Sequence, residues 1–256
     1  MELTPALTFG FVLILVRTSS MLVSAPLLSH RGIPSYTKVG FAVVLSLVLV
    51  PLTQEHAPVP PANFIALGEA VVRETLFGLG LGLAMNIVFM AMSAASHLIG
   101  VQVGFGLGGV LNPLTGSESG ALDQFFMVLA TLVFFTINGH YLVITALSET
   151  MVAVPLGSFD PFAITPSGVT TLMAGLTITA VRVAMPVMVA LFLADFGMGL
   201  VARTVPQMNI LMVGLPLKVG VGLVVLLAAL PMTMQVMNGV VGSSLAGSSE
   251  TLLGAR

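Results

Sequence analysis

Six apolar runs, near residues 6–28, 39–53, 64–96, 122–148, 171–200 and 213–240, leave this chain few folds to choose from. A helix needs about 20 predominantly apolar residues to cross the hydrocarbon core of a bilayer. Inside lipid no water satisfies the backbone N–H and C=O groups, so such segments close their hydrogen bonds internally as helices. Charged residues make up only 7% of the chain, whereas a soluble domain carries about 25%. With a mean hydropathy of +1.10, too few polar side chains remain to cover a water-facing surface. The expected fold is all-α: a polytopic membrane protein of about six hydrophobic helical segments forming helical hairpins. The 15-residue run at 39–53 is short for a span, and the 33 residues of 64–96 leave room for extra turns or for a bent hairpin. Such uneven lengths suit packing against partners better than isolation in flat lipid.

The breaks between runs have chemical causes. Gly32-Ile33-Pro34, the three prolines of TQEHAPVPPAN (53–63) and the Pro161 and Pro166 of GSFDPFAITPSG (157–168) stop helices, because proline lacks a donor and restricts its predecessor. Arg31 and Lys38 lie in one connection and Arg203 and Lys218 in another, while the connections at 53–63 and 149–170 hold no Lys or Arg. The positive-inside rule then places both basic connections in the cytoplasm and both termini outside, with Arg256 the exception. The opening MELTPALTFG has no basic n-region, so the first run is expected to stay in the mature protein. A net charge of −2 gives no reason to expect nucleic acid, and the absence of cysteine excludes disulfides and thiolate metal sites.

Arg17, Glu69, Arg73, Glu74, Arg182 and Asp195 fall within the apolar runs. An ionised side chain at mid-membrane costs about 2.5–3.5 kcal/mol on insertion scales, so each needs a partner or a wet cavity. Glu69 and Arg73 are four residues apart, acid before base, the favourable helical order. Arg182 and Asp195 are 13 apart and cannot meet in one straight helix, so each needs a partner elsewhere, on this chain or another. A proton relay would want several acids along one path, and structural pairing is the better reading.

GVQVGFGLGGVLNPLTGSESGALDQ (100–124) is the second unusual region. Gly100, Gly104 and Gly108 recur every four residues, as do Gly78 and Gly82, and would give helices a bare stripe for close approach. Gly109, Asn112-Pro113 and GSESG then break the helix. Irregular backbone at membrane depth is tolerated only inside protein or along a water-filled cavity, so a loop lining or stopping a pore and a plain surface loop both fit. The G-x-G-x-x-G at 104–109 lacks the strand and βαβ unit that a dinucleotide site requires. The four histidines show no H-x-x-x-H spacing and no G-x-S-x-G elbow occurs. An enzyme is not expected, nor a cofactor or a metal.

The stretch ARTVPQMNILMVGLPLKVGVGL (202–223) resembles the most recognisable segment of the FliR family, called SctT in virulence type III secretion systems. The matching positions are Arg203, Pro206, Gln207, Asn209, Gly214, Pro216, Leu217 and Lys218. RTSSMLVSAPLLSHRGIP, GEAVVRETLFGLGLGLAMNIVF, SHLIGVQVGFGLGGVLNP, FFTINGHYLVITALSET and AMPVMVALFLADFGMGL extend the similarity along the whole chain. Two departures stand out: Asn112-Pro113 where the family often has Asp-Pro, and Tyr141 after His140 where it often has a second histidine.

The resemblance implies a subunit of the type III protein export gate of the flagellum. Such a subunit joins FliP and FliQ homologues, as one copy, in a channel for unfolded substrates across the bacterial inner membrane. FlhB and FlhA homologues are further implied partners, with membrane lipid around the assembly and the flagellar basal body as its location. Residues 1–170 correspond to a FliP-like part that includes a plug loop at about 105–120, and 171–256 to a FliQ-like hairpin and tail. The plug would include Phe105, Gly106, Leu107, Gly108, Gly109, Val110, Leu111, Asn112 and Pro113. Arg203, Pro206, Gln207, Asn209, Pro216 and Lys218 would form a hairpin tip at the cytoplasmic end, the prolines fixing the bend. The family's assembled gate stands largely raised out of the bilayer plane. The alternative from a different class is a stand-alone secondary transporter. Its usual internal repeats are matched here only by Arg-x-x-Pro turns at 31–34 and 203–206.

Overall fold

The computed structural model describes residues 5–25, 33–56, 58–61, 63–104, 121–161, 166–205 and 210–252. Regular structure among them is entirely helical: α1 (Pro5–Ser24), α2 (Ser35–Leu49), a 3-10 segment (Val50–His56), α3 (Phe64–Val103), α4 (Ala121–Thr136), α5 (Gly139–Ala153), α6 (Pro166–Thr204) and α7 (Ile210–Leu252). Five of these segments are long and apolar enough to cross a membrane, and α4 with α5, bent by 67°, makes a possible sixth. The chain is an all-α polytopic membrane protein.

Each apolar run has its helix, with informative differences. The long third run is one continuous 40-residue helix, not a bent hairpin; it contains no proline. The fourth run splits at Asn138, which sits in the left-handed region at φ 55°, ψ 37°, a conformation that asparagine tolerates better than most residues. Gly104, at φ +100°, follows the last residue of α3, so the four-residue glycine spacing does not extend the helix. Pro186 lies inside α6, and Pro216 and Pro231 inside α7. Pro216 therefore does not form the bend between α6 and α7, as expected for the hairpin tip, and Lys218 is helical with it. Membrane helices tolerate interior proline because neighbouring groups re-satisfy the freed backbone.

The chain forms two compact units that alternate along the sequence, Met1–Ile87 with Phe135–Met173 and Val241–Arg256, and Val88–Phe134 with Ala174–Val240. In the first, α1, α2, the start of α3 and α5 bury a core that includes Leu13, Met21, Leu45, Phe77, Leu81 and Leu147. The largest fully buried side chain there is not apolar. Arg17 and Glu74 are both 0% exposed and form an ion pair. Arg17 donates from Nε and Nη2 to the two Glu74 oxygens, and from Nη1 to the carbonyls of Thr150 and Val154 at 3.0 and 3.1 Å. Glu74 also accepts the Gly157 N–H at 2.7 Å, and the guanidinium lies 4.6 Å from the Phe77 ring centroid. The planar five-donor fork of arginine is met on every side. Burial without partners would cost several kcal/mol per ion. Here the pair joins α1 to α3 and closes the carbonyl end of α5.

That reach depends on two glycines. A Cβ at Gly78 or Gly82 would fall within 3.0 Å of the backbone oxygen of Arg17 or Met21, respectively. The bare face lets α3 lie directly on α1, where Ser24 Oγ donates to the Leu79 carbonyl at 3.2 Å. Gly100 has open space where a Cβ would stand. In the second unit, α4 meets α3 through Phe89 and Phe134, ring centroids 5.8 Å apart. Asp123, in the first turn of α4, accepts the hydroxyls of Ser93 and Ser96.

Two expectations follow for the detergent-solubilised protein. Arg17→Met leaves Glu74 buried and unpaired and lowers unfolding stability by about 3–5 kcal/mol. The double Arg17→Met/Glu74→Leu variant recovers only part of that loss, because the Thr150 and Val154 carbonyls stay without a donor. Thermal unfolding of the three proteins checks the order. Gly78→Val destabilises by at least about 1–3 kcal/mol through overpacking, whereas Gly100→Ala changes stability by less than about 0.5 kcal/mol. Equal effects at the two glycines would contradict the packing described.

Candidate functional site

The charged residues of the apolar helices divide by environment. Glu69 and Arg73 pair at 2.6 Å one turn apart near the start of α3, and both remain partly exposed. Arg73 Nη1 also donates to the Phe159 carbonyl at 2.9 Å, so it fastens the connection after α5 to α3. An exposed pair of this kind contributes only about 0.3–0.5 kcal/mol, so its second bond is the more specific one.

Asp195 of α6 and Lys218 of α7 pair at 2.7 Å, both partly buried. Asp195 also accepts from Gln102 of α3 at 3.4 Å. Their meeting follows from an antiparallel hairpin. Met198 stands beside Gly214, and Leu191 beside Gly222, so contacts across the two arms join residues whose numbers add to 412 or 413, as do Asp195 and Lys218. Residues equidistant from the connection lie at equal depth. The helix offsets alone predict this pair once α6 and α7 are taken as one hairpin. Lys218 is thus held inside the protein, and the positive charge at the tip rests on Arg203, exposed in the last turn of α6.

Arg182 is different. It is exposed on α6, and among the described residues it meets no carboxylate or carbonyl. Pro206, Gln207 and Asn209 of the expected tip, and Phe105 to Pro113 of the expected plug, lie outside the described residues. The ends of that glycine-rich stretch are placed. Val103 and Leu122 both line a cavity of about 270 Å³ with Ile99, Phe125, Gly222 and Leu226. Among the described residues its wall is apolar and holds no acid–base group. Four polar features escaped the reading of the sequence: the Arg17–Glu74 pair, the Asp195–Lys218 pair, the Gln102 contact and the Ser93–Ser96–Asp123 cluster. Only Ser93 and Ser96 carried a helical-spacing signal.

Asp195→Lys places two cations together and lowers the unfolding midpoint by about 4–8 °C, the equivalent of about 2 kcal/mol for a chain of this size. Asp195→Lys/Lys218→Asp restores at least half of that loss, as measured by thermal unfolding in the same detergent. A double variant no better than the single would show that the two side chains act independently.

Comparison with known proteins gives this arrangement a family. Residues 8–244 match the model of "Bacterial export proteins, family 1". The flagellar biosynthetic protein FliR of Bacillus subtilis is 30% identical over 241 residues, 90% of each chain. FliR of Escherichia coli is 30% identical over 224 residues, 85% of this chain and 83% of its own. The Yop proteins translocation protein T of Yersinia pestis is 26% identical over 218 residues, covering 84% and 82%. The chain belongs to family 1 of the bacterial export proteins, the FliR family, and is a component of a type III protein-export apparatus.

Proposed function

We propose that the chain is the FliR-type subunit of a flagellar export gate, joining FliP and FliQ homologues around a channel for unfolded substrates in the bacterial inner membrane. The observation that carries this reading is the end-to-end match, 90% of this chain on 90% of a FliR relative. The FliR relatives reach 30% identity and the Yop translocation protein 26%, which favours flagellar over virulence use.

The helices support the reading in a second way. α3, α6 and α7 hold 40, 39 and 43 residues, about 60 Å each at 1.5 Å per residue. The hydrocarbon core is about 30 Å thick. Lipid covers half of such a helix, and their exposed Leu, Val, Met and Phe side chains need protein over the rest. Neighbouring FliP and FliQ homologues supply it in a gate that stands partly out of the bilayer. FlhB and FlhA homologues are further partners. Residues 1–170 act as the FliP-like part and 171–256 as the FliQ-like hairpin and tail. That division follows the resemblance, whereas the compact units follow contacts.

Within this proposal the stretch from about 105 to 120 is the plug. Arg203, Pro206, Gln207 and Asn209 shape the entrance at the cytoplasmic tip, with Pro216 and Lys218 behind them in α7. The chain works by packing and sealing, without catalysis or a cofactor. Co-expression with its FliP and FliQ homologues should yield a discrete hetero-oligomer with one copy of this chain, read by native mass in detergent. A stable monomer or homodimer that ignores both partners would sink the proposal.

A further inference from the structure

The second unit leaves one face of α6 uncovered, and that face contains a cation. Thr179, Val183, Val187 and Leu191 point into the unit. On the other side Ile178, Met185, Val189, Phe192 and Phe196 are each 50–65% exposed, with exposed Arg182 among them. Ile178, Met185 and Phe192 recur every seven residues, and so do Arg182, Val189 and Phe196. The two series interleave at four and three, the spacing at which one helix seats another along a coiled-coil seam. Arg182 is the single charged member of that seam.

Lipid alone does not cover this face. α6 is about 58 Å long, and every 20-residue window within it contains Arg182 or Asp195. If the bilayer encloses Arg182, a guanidinium with no partner among the described residues sits in hydrocarbon, with sixteen uncharged residues of α6 before it and twelve after. If the bilayer instead encloses Asp195, that carboxylate is already matched by Lys218. The helix around Arg182 and the apolar residues before it then leaves the hydrocarbon core. Protein must cover the Ile178 end of the seam in both placements. A second copy of the same face is a poor cover, because a two-fold contact would set Arg182 against Arg182. Asp195, the only acid on α6, is already engaged.

We propose that the Ile178–Phe196 face of α6 is the docking surface for a membrane helix of a different polypeptide, one that carries an aspartate or glutamate opposite Arg182. This rests on the export-gate reading, in which other membrane proteins surround the chain. The carboxylate neutralises the guanidinium out of water, where charge-assisted, bidentate pairing is strongest. The apolar seam supplies the area, and the ion pair fixes the register and selects the partner.

The test uses the full chain co-expressed with its FliP and FliQ homologues and reads recovery of the complex on native gels. Wild type forming no complex refutes the gate reading itself. With wild-type assembly in hand, Arg182→Glu should cut recovery at least tenfold and Arg182→Leu severalfold. Arg182→Lys should retain more than either, and membrane levels of all three variants should match wild type. Each Asp and Glu in the apolar segments of the partners is then changed to Arg. One such change should restore recovery with Arg182→Glu and identify the opposing acid. Arg182→Leu assembling at the wild-type level would overturn the proposal and leave lipid headgroup or water as the partner of Arg182. A scan in which no acid rescues would overturn it too. So would a homodimer lost in Arg182→Glu and regained with Glu149→Arg, since Glu149 is an exposed acid with no partner among the described residues.

Discussion

The first unit is organised around one buried ion pair. Arg17 and Glu74 are 57 residues apart, on two helices that touch through backbone at Gly78 and Gly82. Ion and glycine depend on each other. The guanidinium reaches the carboxylate and two carbonyls at once because the helices approach closely, and its burial is tolerable because these oxygens fill its donors. Leucines in place of the pair would bury area without selecting a geometry, since apolar contacts are non-directional. A fork of five N–H groups aimed at four oxygens admits one arrangement. In a chain whose every surface is greasy, that specificity matters more than the net energy of the bridge, which burial largely offsets.

The second unit meets the same requirement at the hairpin of α6 and α7. Asp195 and Lys218 lie at equal depth on antiparallel arms. Slipping one arm by a turn would cost the ion pair and bring Met198 or Leu191 against the wrong glycine. Each unit thus carries a charged lock within an apolar packing that could otherwise slide.

Much of the architecture was legible in the sequence, and the reasons differ by element. Run length and charge depletion gave the six hydrophobic segments, because the thickness of a bilayer sets the period. The split of the fourth run at Asn138 has a local cause, the tolerance of asparagine for positive φ. The continuity of α3 and the helical setting of Pro216 were not legible, since a proline or glycine signals a break whose outcome is settled by neighbours. The Glu69–Arg73 pair could be read from a spacing of four. Arg17 with Glu74 could not, because nothing local links residue 17 to residue 74. Asp195 with Lys218 occupies the middle ground: once a hairpin is assumed, equal offsets from its turn name the pair. The plug and the Pro206–Asn209 part of the tip rest on resemblance, which speaks of the assembled gate more than of this chain alone.

The helix lengths explain why a chain like this belongs to an assembly. A protein that lived alone in a flat bilayer would match its helices to about 30 Å of hydrocarbon, and α3, α6 and α7 each run to about twice that. Their excess cannot be loop, since apolar side chains stay exposed from Ile178 to Leu200 on α6 and from Met212 to Met234 on α7. Nor can it stand in water, because contiguous apolar surface of that extent drives association. Such helices are complete only when other protein takes over where lipid ends. The polar groups follow the same division. Those that can be satisfied within the chain are satisfied there, as Glu74 and Asp195 are, and Arg182 faces outward on a surface shaped for another helix.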